Sequence, residues 1–87
     1  MKIQITKETV NRAKRLYRNS NIGSNCYPVM LTLKDIFPKE KNIEAGFWTV
    51  HVGTKRFNLS GKLMAEVYKF TVYAVFTPGE YELTERV

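Results

Sequence analysis

The chain has 87 residues, which is room for one domain, and a domain of this size buries only about 60–65% of the surface its unfolded chain exposes. Its 44% apolar content, with five Phe, five Tyr and one Trp, belongs to a globular protein, and a single cysteine, Cys26, excludes an intramolecular disulfide framework or a cysteine pair for metal. Of a net charge of +6, residues 1–18 hold +5, from Lys2, Lys7, Arg12, Lys14, Arg15 and Arg18 against Glu8 alone, and charge segregated in this way speaks to association rather than to topology.

Met1, Ile3 and Ile5 alternate with Lys2 and Gln4, the period of a half-buried strand. Thr6 then caps a helix over residues 7–18 in which Val10, Ala13 and Tyr17 form one apolar stripe with Leu16 at its edge. At 100° per residue, Lys7, Arg12, Lys14, Arg15 and Arg18 spread over about 160° of the opposite side. The charge asymmetry thereby becomes the basic face of one helix.

Residues 19–25 are turn chemistry, and Ser24 or Asn25 can cap a second helix whose first turn tolerates Pro28. Val29, Met30, Leu31, Leu33, Ile36 and Phe37 make it apolar around most of its circumference, which predicts a central core helix ended by Pro38. Residues 39–46 read as a loop. From Phe47 the alternation returns, and Gly53-Thr54 fits a two-residue hairpin turn with glycine first. The register then sets Val52 against Lys55, Val50 against Phe57 and Trp48 against Leu59, with Trp48, Val50, Phe57 and Leu59 facing the core and Phe47, Thr49, His51, Arg56 and Asn58 facing out.

Ser60 caps a third helix from Gly61 with Leu63, Met64, Val67, Tyr68 and Phe70 as buried candidates and an end left open between residues 70 and 76, where β-branched and aromatic residues gather. After Pro78-Gly79 a last strand points Tyr81 and Leu83 inward and Glu80, Glu82 and Glu85 outward, as on a solubilised edge strand. The elements add up to an α+β fold of two layers, three helices on an antiparallel sheet of about four strands, forming a single domain over residues 1–87.

From Cys26 onward the segments Cys26–Lys34, Val50–Gly53, Phe57–Leu59 and Pro78–Leu83 resemble, over about 60 residues, a family of small uncharacterised proteins of tailed phages. In that family the cysteine usually abuts the proline, whereas Tyr27 intervenes here. The resemblance implies a phage origin and brings no assigned activity with it; inhibition or modulation of a host protein fits it as well as nucleic-acid binding does.

The titratable inventory is too poor for an enzyme: one His, one Asp and one Cys, with no Gly-rich phosphate loop. A Cys26–His51 thiol and base pair is the only catalytic arrangement to weigh, and a small buried cysteine is the simpler reading. No catalytic residue, cofactor or metal site is expected, and the absence of an apolar span or leader-like block predicts a cytoplasmic protein. The expected partner-binding residues are Lys7, Arg12, Lys14, Arg15 and Arg18 on the helix, extended by Lys55 and Arg56 at the hairpin turn with Phe47 placed to stack on a base. They would meet nucleic acid or, alternatively, a host protein with an acidic or nucleic-acid-binding surface.

Overall fold

The computed structural model describes residues 1–19 and 27–86. In chain order the elements are β1 (Lys2–Ile5), α1 (Lys7–Asn19), α2 (Tyr27–Ile36), β2 (Ile43–Ala45), β3 (Thr49–Val52), β4 (Lys55–Leu59), α3 (Gly61–Tyr73) and β5 (Gly79–Glu85). This is the expected α+β arrangement with one strand more. The five strands form one antiparallel sheet in the order β1-β5-β4-β3-β2. α2 packs against both edge strands, β1 and β2, so the sheet curls around it and both exposed edges lie beside the same helix.

Thr6 caps α1 as expected: its Oγ1 accepts a hydrogen bond from the Thr9 backbone N–H at 3.1 Å. Val10 and Ala13 are buried and Tyr17 half-buried beneath the helix, while Leu16 stays exposed. Pro28 sits in the first turn of α2, where its missing N–H costs no helical bond. Val29 and Leu33 are fully buried, but Ile36 is 44% exposed, so α2 is less enclosed than its composition suggests. The caps proposed at Ser24 and Asn25, and Cys26, lie outside the described residues.

The β3–β4 hairpin has the expected two-residue turn and pairing, Val52 with Lys55, Val50 with Phe57 and His51 with Arg56. Gly53 takes φ 63°, which an L side chain adopts only at a cost, and an added Cβ would come within 2.7 Å of a Glu40 carboxylate oxygen. One expectation at this hairpin fails. Trp48 is 74% exposed, although Val50, Phe57 and Leu59 on the same face are buried. Gly46 N–H donates to the Thr49 carbonyl, closing a tight β2–β3 connection, and Trp48 lies in that bend before β3 starts. Its backbone still accepts from Leu59 N–H at 2.9 Å, so the register holds while the side chain leaves the core.

The segment expected to be a loop supplies β2, three residues held to β3 with only Ile43 buried. β5 is not an edge strand: β1 and β4 flank it, and Glu80 and Glu82 are exposed because they alternate with buried Tyr81 and Leu83 on an interior strand. On α3, Ser60 Oγ accepts from Leu63 N–H, and Leu63, Val67 and Phe70 are buried. Tyr68, expected inside, is 62% exposed because it lies on the side of the helix away from that stripe. The open question of where α3 ends is answered at Ala74, whose left-handed backbone (φ 55°) caps the helix as its N–H bonds the Phe70 carbonyl.

Past that cap, two contacts fix the chain on its way to β5. Rings of Tyr17, Phe70, Phe76 and Tyr81 meet edge to face in succession, with centroids 5.6, 6.5 and 5.7 Å apart, joining α1, α3 and β5. The Glu66 carboxylate accepts from Thr77 N–H at 2.7 Å and pairs with Lys69 at 2.9 Å. Burial alone would raise the Glu66 pKa, but the hydrogen bonds from Lys69 and Thr77 win and hold it below its ordinary value of 4.5. Burial first, and then the Glu66 charge, push the Tyr81 phenol up.

Phe70→Ala is expected to cost about 3–5 kcal/mol, whereas Trp48→Ala is expected to cost under about 1 kcal/mol. Urea unfolding measures both, and a larger loss at Trp48 would contradict the placement of its side chain. For Glu66 the folded pKa lies below the unfolded one, so its contribution is complete above about pH 4.5 and fades as pH falls through the folded value. Glu66→Gln should therefore lose less stability than the wild type between about pH 5 and pH 3, and parallel curves would refute the clasp.

Candidate basic interface

α1 is held on its inner side by Val10, Ala13 and Tyr17, whose hydroxyl donates to the Thr71 carbonyl of α3 at 3.2 Å. That docking decides which cations reach solvent. Lys7 and Arg15 are exposed on the outer side, and Lys14 is half-buried at its flank. Arg12, on the other flank, turns toward α2 and meets Asp35 at 3.4 Å, with 40% and 58% of the two side chains exposed. A pair this open contributes little stability, but it does offset one positive charge of the face. Arg18 belongs to the last turn of α1, and its side chain is outside the described residues. Among the described residues Lys7, Lys14 and Arg15 form no ion pair.

Glu8 shares this surface, in the first turn where a carboxylate suits the helix dipole. It also lines, with Gln4, Thr6, Thr9, Arg12, Asp35 and Ile36, a shallow cleft between α1, α2 and β1. The cleft holds both signs of charge. It marks the end of the cationic surface on the side of α2.

Lys55 and Arg56 are exposed at the start of β4, as expected. They do not sit beside the start of α1. β1 ends where Ile5 pairs with Gly79, the first residue of β5, and α1 departs from there; the hairpin lies beyond the other end of β5, where Phe57 pairs with Glu85. The length of β5, about 20 Å of extended chain, lies between the two places. At the hairpin end a residue not anticipated joins in: Arg86 N–H donates to the Arg56 carbonyl at 2.8 Å, and Lys55, Arg56 and Arg86 line one recess with Glu85 and Thr54. Sequence reasoning missed Arg86 because its neighbour Arg56, 30 positions earlier, is set by β4–β5 pairing, which no local pattern encodes.

Phe47, expected to stack on a base, is 39% exposed, and its neighbour Trp48 is far more available. His51 lies on the outer side of β3 between Glu44 and Arg56 in the strand register, half-buried. Among the described residues no three His, Cys, Asp or Glu side chains gather as a metal would require. No helix among them is long and apolar enough to cross a membrane.

No family model, no curated protein and no solved structure matches the chain.

Proposed function

We propose that the protein binds the phosphate backbone of nucleic acid through the outer side of α1, without reading sequence. The observation that carries this reading is that Lys7, Lys14 and Arg15 stand on one docked helix and form no ion pair among the described residues, against the single carboxylate of Glu8 on the same surface. Clustered cations of this kind gain affinity by releasing the counterions condensed on a polyphosphate, and the gain needs no base contact. A rigid helix loses less conformational freedom on binding than a disordered basic arm would, because Val10, Ala13 and Tyr17 already fix it. Lys55, Arg56 and Arg86 form a second, separate basic place that a long duplex could also touch.

Three phosphate contacts predict an affinity for random-sequence duplex DNA that falls by about 40-fold between roughly 50 and 200 mM salt. Replacing Lys7 and Arg15 with Gln should reduce the slope of log affinity against log salt by about 2. Removing Arg12 and Asp35 together, as Arg12→Gln with Asp35→Asn, should leave the slope unchanged, because that pair is already neutral. Gel retardation measures all three. Absence of binding at about 50 mM salt, or an equal effect of the Arg12 and Lys7 variants, would overturn the reading.

A further inference from the structure

The side of α3 turned away from the core carries Gly61, Ala65, Tyr68 and Val72, all exposed, the last two by 62% and 50%. Their spacing of four, three and four residues is that of a coiled-coil seam, and at 100° per residue they fall within an arc of about 60°. The buried stripe of Leu63, Val67 and Phe70 lies opposite. α3 therefore has two apolar sides, and the fold uses one.

The order of sizes along the seam identifies what fits it. Two small residues come first and two large ones follow. When the same helix is laid antiparallel on itself, Gly61 comes opposite Val72 and Ala65 comes opposite Tyr68, so each large side chain meets a small one. This is self-complementarity of the kind a two-fold interface requires, since one patch must fit its own copy. At Gly61 nothing lies within 4 Å of where a Cβ would stand, so a neighbouring side chain has room to approach the backbone.

Charge selects the same face. A chain of net +6 meets its own copy at least cost where no unpaired cation intervenes. The seam itself has no charged residue. The cations flanking it are engaged within the chain: Lys69 pairs with Glu66 at 2.9 Å, and the Lys62 ammonium lies 5.3 Å from the centre of the Tyr81 ring. The outer side of α1 and the Lys55–Arg56–Arg86 recess would each bring like charges together.

We propose that two copies of the chain associate through α3 as an antiparallel, two-fold helix pair in which Ala65 of one faces Tyr68 of the other and Gly61 faces Val72. The contact is one helix of 13 residues per copy, smaller than a standard stable interface, so the dimer is weak.

Sedimentation equilibrium of the full chain, in about 150 mM salt to screen its net charge, tests this over roughly 10 μM to 1 mM. The wild type is expected to pass from monomer toward dimer in that range. Val72→Glu is expected to remain monomeric throughout, with unchanged circular dichroism because the position is half-exposed; if it fails to fold, Tyr68→Lys serves instead. Ala65→Tyr sets tyrosine against tyrosine and should weaken association, and Ala65→Tyr with Tyr68→Ala swaps the two sizes across the pair and should restore it. A wild type that stays monomeric at 1 mM, a Val72→Glu variant that still dimerises, or a size swap that restores nothing would each overturn the proposal.

Discussion

Phe70 joins α1 to the chain between α3 and β5, parts of this molecule that lie far apart in the sequence. Its fully buried ring meets Tyr17 of α1 on one side and Phe76 on the other, and Phe76 in turn meets Tyr81 of β5. An edge-to-face pair adds about 0.5–1.5 kcal/mol to what burial already contributes, so three in succession are a large fraction of the stability of a small domain. The orientation of α1 follows from this contact. Because Tyr17 is drawn inward and its hydroxyl reaches the Thr71 carbonyl, Lys7 and Arg15 are left pointing outward.

The electrostatics then follow from packing rather than from composition. Five cations on a helical wheel suggest one continuous face, but docking against α2 engages Arg12 with Asp35 and divides them. What remains is a smaller surface of more definite shape. The hairpin cations belong to the other end of β5 and gain Arg86 there, so the basic character of the chain is distributed over two places set by strand register. α3 adds an uncharged exterior beside the engaged charges of Lys69 and Glu66, and the clasp of Glu66 on Lys69 and Thr77 serves both its end and its neutrality.

Most of the architecture was legible because its signals are local. The alternation of β1, the cap at Thr6, the stripe of α1 and the glycine-first turn of the hairpin each depend on residues within a few positions of one another. Two features were not legible for a shared reason, their dependence on strand pairing between distant residues. Trp48 obeys the alternation yet is expelled by a bend whose existence depends on β2, and β2 has only Ile43 to announce it. The interior position of β5 is set by pairing with β4 and with β1 from the other end of the chain, so its row of exposed glutamates imitates an edge. The exposure of Tyr68 was in principle readable, since Leu63, Val67 and Phe70 already fill one side of α3, but an aromatic in an apolar run invites a buried reading.

The central claim is that α1 is a docked helix whose outer cations meet a polyphosphate. Amide chemical shifts recorded while a random-sequence duplex is added at about 50 mM salt test it most directly, because they locate contact residue by residue at an ionic strength that favours phosphate binding. The account predicts shifts concentrated at Lys7, Lys14 and Arg15, with the aromatic contacts of Tyr17 and Phe70 undisturbed. Shifts confined to the hairpin, or a general loss of dispersion as α1 leaves the core, would contradict it.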